Sequence, residues 1–429
     1  MNGLTAHHIN SRRVNESGGV MINSGERGFG LPKFSHAERE RRWSRVRELM
    51  RQKQLDAIIG FPNQSHWDQF QADIRYLTHI GGHQTEVAVV FPLSGAVTAF
   101  VRGGNEVEWW SIAQDWLTDI RPSRRSWGEP VIERMTELQL QSARIGVSGL
   151  SGLLRAPEGT VVTGMLDKVR QAFPKARFEN ATELLQEARS VKGAEEVTWI
   201  ERAAEILDRV VAAIISKAKP GVMENDMVAT IWQTIIANGG DYPSMTHWGA
   251  GAGVPWACRI APHRPLQAGD MVNTELEAKY GGYIAQTVQA ACLGKIPDEL
   301  TRAFDVSVKV FDELVKFMKP GVSFRQVVML YQKLVREAGH TPKGMLLHGR
   351  GIGEDRPQIT GEVEGDMYTS ATYTQHLDLP LVEGNVFVLK PGAMPGDAPD
   401  SIRCGDTVVI EKSGARRLGK RKFIFPEII

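Results

Sequence analysis

Three cysteines in 429 residues, Cys258, Cys292 and Cys404, are too few and too scattered for a disulfide framework or a zinc knuckle. That scarcity fits a reducing cytoplasm. A formal net charge of +1 gives no electrostatic case for nucleic acid or a membrane surface. No apolar run approaches the length that spans a bilayer. The opening stretch MNGLTAHHINSRRVNESGGVMINSGERG has no apolar core, so no secretory signal is expected; its Gly, Ser and Asn content reads as a flexible arm. What is present is ordinary for a globular protein, 42% hydrophobic and 24% charged, in a chain long enough for two domains. The ten Trp stand out, with Trp109, Trp110, Trp248 and Trp256 read as buried or interfacial anchors.

The chain is organised around GDMVNTELEAKYGGYIAQTVQ, from Gly269 to Gln289. Gly281-Gly282 signals a tight turn with positive φ, so Met271–Lys279 and Tyr283–Ala291 read as paired antiparallel strands. Side chains alternate along a strand, which puts Asn273, Glu275 and Glu277 on one face. Two carboxylates there are either solvated or have partners and a task.

Upstream, Ser35–Gln54 reads as an amphipathic helix with a Ser cap. Leu55–Phe61, Glu86–Phe91, Ala96–Val101 and Arg144–Val147 read as strands of an α/β domain ending near Leu185. Arg189–Ile206 opens a long helix with acidic residues in its first turn. From there the sequence repeats. Lys219-Pro220-Gly221-Val222 returns as Lys319-Pro320-Gly321-Val322, each between helices, and the following helices stop at Gly239 and Gly339. His247-Trp248-Gly249 and His348-Gly349-Arg350 then fall nearly in register. Two pseudo-equivalent halves follow, each too small to bury its own sheet.

RSVKGAEEVTWIERAAEI, KPGVMENDMVATI, LLHGRGIG, LVEGNVFVLKPG and SIRCGDTVVI, with the central hairpin, resemble in order the pita-bread superfamily of creatinase, prolidase and aminopeptidase P. The resemblance implies an α+β fold: a pita-bread catalytic domain with an internal pseudo-two-fold repeat over 186–429. A smaller α/β creatinase-type domain over 35–185 and an arm over 1–34 precede it. It also implies a homodimer in which the partner's N-terminal domain completes the pocket.

The departures from the family pattern fall at the metal site. Peptidases of this family hold two ions with two Asp, one His and two Glu. Matched by resemblance, those positions carry Glu275, Gln286, His348, Lys390 and Gly405. Divalent metals need several anionic or imidazole ligands at roughly 2.0–2.3 Å, so no metal and no other cofactor are expected. Of two further family His positions, one falls at or next to Cys258 and the other at Asp355. Creatinase and ectoine hydrolase show what the superfamily does without metal. Glu275-Leu276 resembles the ectoine hydrolase strand, whereas Pro255-Trp256 and HGRGIGEDRP resemble the dimethylsulfoniopropionate lyase branch.

The resemblance thus implies a metal-independent, creatinase-like hydrolase of a C–N bond in a small polar nitrogen compound. A lyase on a small charged substrate, an inactive binding homologue and an Xaa-Pro-type metallopeptidase stand as alternatives. Catalytic candidates are His348 as acid or base, Glu275, and Cys258 as a nucleophile activated by nearby His and Lys. The alternative reading of Glu275 is a pairing with Lys390 across the old metal cavity, and that of Cys258 is a small residue filling space. Substrate-binding candidates are Glu277, Asp355, Arg356, Lys390, Arg403, Trp256 and His247, with arginines suited to clamping a carboxylate.

Overall fold

The computed structural model describes residues 30–63, 68–82, 85–153, 155–255, 260–342, 344–361, 376–394 and 402–428. The expectations for Cys258, Trp256 and most of the N-terminal arm lie outside these residues. The first domain is a mixed six-stranded sheet in the order β4-β3-β2-β1-β5-β6. Its strands are β1 (Ala57–Gly60), β2 (Val87–Pro92), β3 (Thr98–Val101), β4 (Asp119–Pro122), β5 (Arg144–Val147) and β6 (Arg177–Asn180). Around it lie α1 (His36–Lys53), α2 (Asp68–Thr78), α3 (Gly104–Ala113), α4 (Gly128–Glu137), α5 (Thr163–Ala172) and α6 (Thr182–Ser190). The Ser35 hydroxyl caps α1 by accepting from the Glu38 amide at 3.1 Å. The expected boundary at residue 185 falls inside α6, and the chain leaves this domain only after Ser190. Phe34, assigned to the arm from sequence, is instead core: it is 2% exposed and stacks on Trp199 with ring centroids 3.6 Å apart.

The second domain runs α7 (Ala194–Lys217), α8 (Glu224–Ala237), β7 (Thr246–Gly251), β8 (Met271–Tyr280) and β9 (Tyr283–Cys292), then α9 (Asp298–Phe317) and α10 (Phe324–Glu337). It continues with β10 (Thr341–Pro342), β11 (Met345–Arg350), β12 (Glu354–Thr360), β13 (Val386–Leu389), β14 (Gly392–Met394), β15 (Ile402–Arg403), β16 (Asp406–Glu411) and β17 (Gly414–Arg417). These strands form the sheets β7-β8-β9, β12-β11-β13-β16-β17 and β10-β14-β15.

The repeated Lys-Pro-Gly-Val makes the same turn twice. Val222 donates to Lys219 at 3.2 Å and Val322 to Lys319 at 3.1 Å; Gly221 donates to Leu266 at 2.8 Å and Gly321 to Leu381 at 2.9 Å. Gly221 and Gly321 have φ of 91° and 92°, a region that L side chains rarely adopt. The two halves therefore share local geometry as well as sequence.

The halves meet through β9. Ile284 donates to Gly351 at 2.8 Å, and the Thr287 hydroxyl donates to Gly405 at 2.7 Å. The Gly281-Gly282 turn forms as expected, with φ of 57° and 89°. One apolar cluster runs from α1 (Val46, Met50) through α7 (Ile200, Leu207) to β8 (Val272, Leu276), so the first domain and the first half share a core. Each such fully buried aliphatic side chain is worth about 1.5–3 kcal/mol. Both faces of β8 and β9 are covered, and Glu275 and Glu277 do not lie on a solvated face. Among the described residues no helix is long and apolar enough to cross a membrane.

Candidate active site

Strand register builds the site. On β8 and β9, Glu275 lies opposite Val288 and Glu277 opposite Gln286, while His247 on β7 lies opposite Glu275. From the second half, β11 brings His348 and Arg350, β13 leads into Lys390, and β15 ends at Arg403. The first half thus presents the Glu275 carboxylate to the Lys390 ammonium of the second.

Lys390 Nζ donates to Glu275 Oε1 at 2.6 Å and lies 3.4 Å from His348 Nε2. Gln286 Nε2 also donates to Glu275. Beside this group, Arg350 bridges Gln286 Oε1, at 2.9 Å from Nε, and the Glu277 carboxylate. His348 Nδ1 is 3.6 Å from Glu354 Oε1, and Arg155 from the first domain grips Glu354 through two bonds of 2.6 and 3.0 Å. His247 Nδ1 stands 3.9 Å from Glu275 Oε2.

The electrostatics follow from burial and charge. Burial works to raise the Glu275 carboxyl, but Lys390 and Arg403 outweigh it and hold the group well below the usual carboxylate range. Burial, helped by Arg350 and Lys390, drives His348 far below the ordinary imidazole value and keeps it neutral. Burial also lowers Lys390 below an ordinary lysine, with Glu275 working against it. The result is a firmly ionised carboxylate, a neutral imidazole and an acidified ammonium within one hydrogen-bonded group.

A pair of divalent metal ions does not fit this arrangement. Among the described residues no group of three or more His, Cys, Asp or Glu could hold a metal ion. The Lys390 ammonium projects into the cage, and Gln286 spends its oxygen on Arg350. At Gly405 even a Cβ would collide with Val288, so the backbone there leaves no room for a carboxylate side chain.

Several candidates are committed elsewhere. Asp355 binds Lys192 Nζ at 2.8 Å and Arg189 Nη1 at 3.2 Å, and Arg189 Nε reaches Asp73 at 3.2 Å. Asp355 is thus part of a buried ion chain between the domains, not of the Glu275 group. Arg356 pairs with Glu183 and donates to the Gly152 carbonyl, also holding the domains together. Trp248 is fully buried and donates to Glu224 at 2.8 Å. Trp109, read as an anchor, is 41% exposed. His348, Glu275, Glu277, Lys390, Arg403 and His247 do converge.

Sequence reasoning left Arg350, Glu354, Arg155 and Gln286 out of the candidate list. Alternation along β11 would have flagged Arg350, two residues after His348. No sequence pattern ties Arg155 to Glu354, 199 residues away.

Residues 198–412 match the description "Metallopeptidase family M24", and residues 42–191 match "Creatinase/Prolidase N-terminal domain". The chain is 24% identical over 267 residues to an Xaa-Pro dipeptidase of Pyrococcus furiosus, covering 61% of this chain and 72% of that protein. It is 22% identical over 264 residues to an Xaa-Pro dipeptidase of Pyrococcus horikoshii, with coverage of 61% and 72%. In fold it resembles an Xaa-Pro dipeptidase from Bacillus anthracis with a TM-score of 0.72 at 18% identity, covering 90% of this chain and 99% of that one. These findings overturn the expectation of a metal-independent, creatinase-like hydrolase of a small nitrogen compound. The relatives carry the name Xaa-Pro dipeptidase, and the matching family is one of metallopeptidases, as in the Xaa-Pro alternative.

Proposed function

Because the chain belongs to metallopeptidase family M24, we propose that it is a hydrolase of short peptides of the Xaa-Pro kind, acting in the cavity around Glu275. The observation that carries this reading is the tandem match of both domains, together with relatives named Xaa-Pro dipeptidase over 72% of their length.

Roles for this chain's own residues follow from their charge states. An amide nitrogen leaves only when it gains a proton. Lys390, acidified by burial and lying against His348, is the donor to the departing proline nitrogen. Its ammonium also meets negative charge growing on the carbonyl oxygen. Glu275 is too acidic to serve as a base; it holds Lys390 and orients the attacking water. Arg403 takes the peptide's terminal carboxylate. Water supplies the oxygen of the new carboxylate and both protons the amine finally carries, one of them relayed through Lys390.

The test is proline release from Gly-Pro, Ala-Pro and Leu-Pro, measured on the protein as purified, after chelation, and with Mn2+ or Co2+ added. Release should fall about a hundredfold or more in Lys390→Met and in His348→Ala. No release under any of these conditions, or release untouched by both substitutions, would refute the proposal. The same reading carries a cytoplasmic homodimer whose pocket is completed by the partner's N-terminal domain, with no nucleic acid or membrane partner. Light scattering that returned a monomer at micromolar concentration would remove that part.

A further inference from the structure

The first domain reaches the site through Arg155, on the segment between β5 and α5. Its guanidinium holds the Glu354 carboxylate from two nitrogens, Nε to Oε2 at 2.6 Å and Nη2 to Oε1 at 3.0 Å. Gln358 Nε2 adds a third donor, to Oε1 at 2.6 Å. Glu354 is 3% exposed, so this grip replaces the water that a carboxylate otherwise needs. Arg350 lies opposite Glu354 in the register of β11 and β12, but its hydrogen bonds are spent on Gln286 and Glu277. Arg155 is therefore the cation that fixes the Glu354 carboxylate in place.

That carboxylate faces one edge of His348. Nδ1 stands 3.6 Å from Glu354 Oε1 and 3.5 Å from the Gly349 carbonyl oxygen, and both of these groups only accept. Burial works to raise the Glu354 carboxyl, but Arg350 and Arg155 outweigh it and keep the group ionised. At the other edge Nε2 stands 3.4 Å from Lys390 Nζ, an ammonium that only donates. These contacts are longer than strong hydrogen bonds, so the sign of the charge at each edge decides. A neutral imidazole carries one ring proton. On Nδ1 that proton faces two acceptors; on Nε2 it would face a cation.

We infer that Arg155 is a positioning residue: through Glu354 it fixes His348 as the Nδ1–H tautomer and leaves the Nε2 lone pair facing Lys390. Lys390 then sits between that lone pair and the Glu275 carboxylate. Without Arg155 the buried Glu354 takes up a proton or turns toward water, and the ring loses the charge that selects its tautomer. Seating of the first domain is in this way felt at Lys390. The effect on turnover rests on the role proposed above for Lys390, but the tautomer does not.

Long-range proton–nitrogen correlation on the full chain labelled with 15N-histidine tests this at neutral pH, with the His348 signals assigned by their loss in His348→Gln. The native chain should carry the ring proton on Nδ1. Arg155→Met should move a measurable share of it to Nε2, and Arg155→Lys, which keeps a cation beside Glu354, should restore most of the Nδ1 form. Arg75→Met breaks a different tie between the domains, the one to Asp241, and should leave the tautomer as it is. If Arg155→Met does not fold, Glu354→Gln replaces it, with the same expected shift. For proline release, Arg155→Met should lower kcat by about tenfold or more, the worth of a charge-assisted hydrogen bond, with KM little changed. An Nε2–H ring in the native chain, an unchanged tautomer in Arg155→Met, or an equal shift in Arg75→Met would each overturn the inference. If no proline is released, the peptide reading falls while the tautomer measurements still decide this one.

Discussion

Replacing Lys390 by methionine isolates the interaction that organises the site. The stem keeps its volume, so little cavity is made, and only the ammonium is lost. The Lys390 side chain is 3% exposed and that of Glu275 is 16% exposed, with nitrogen and oxygen 2.6 Å apart. At an effective dielectric constant near 20, the gross attraction at that distance is about 6 kcal/mol. Much of it offsets desolvation, and breaking one side of a buried pair costs about 3–5 kcal/mol. Gln286 and Arg403 still face the abandoned carboxylate, so the lower end applies, about 3 kcal/mol. For a domain of this size that is a melting shift of roughly 6–12 °C.

Urea unfolding of the native chain, Lys390→Met, Glu275→Gln and the double variant measures it. The coupling energy should be about 2–3 kcal/mol. The sign with pH follows from the depressed Glu275 carboxyl. Its stabilisation is complete above the unfolded value of about 4.3 and is lost as pH falls toward the lower folded value. The gap between native chain and Lys390→Met should therefore narrow on acidification below about pH 4. Additive single effects, or a gap that does not narrow, would refute the pairing as the source of stability.

Further outcomes can be checked independently. Gly282→Ala, at φ 89° and with its Cβ driven into the Arg75 guanidinium, should lose about 2–4 kcal/mol by calorimetry. A loss near zero would mean the domains do not meet at the turn. His348, held neutral by burial, should show no ring titration by NMR between about pH 5 and 8. Its depressed value contributes stability above the unfolded value of about 6.5 that disappears as pH falls below it, so His348→Gln should flatten the acid limb of the stability curve. Cys404, 1% exposed and with its thiol pushed up to about 12 by burial, should resist Ellman's reagent until the protein unfolds. Rapid native labelling there would contradict the packing against Ser307.

Local chemistry made much of the fold legible. The Ser35 cap, the Gly281-Gly282 turn and the glycines after α8 and α10 are properties of a few neighbouring residues, and such signals survive in any tertiary setting. The repeated Lys-Pro-Gly-Val was legible for the same reason, since a proline-glycine turn between helices closes on its own carbonyls. The hundred-residue spacing then implied two halves, and the halves implied a seam where Glu275 and His348 meet. The pairing of Lys390 with Glu275 was one of the readings available from charge alone, because an ammonium and a carboxylate placed at matched positions attract.

What the chain order could not reveal is which buried charge answers which. Asp355 and Arg356 occupy a motif that reads as site chemistry, yet they turn away to Arg189, Lys192 and Glu183 and tie the domains together. Arg155 reaches Glu354 across 199 residues, and Arg75 crosses from α2 to the hairpin turn. Phe34 is likewise core because Trp199, Trp116 and Tyr283, far away along the chain, pack around it. By itself the sequence determined the elements, their turns and the repeat, since these depend on backbone preference and spacing over a few residues. The tertiary structure decided the ion network, because Coulombic partners are set by distances in space between segments far apart along the chain.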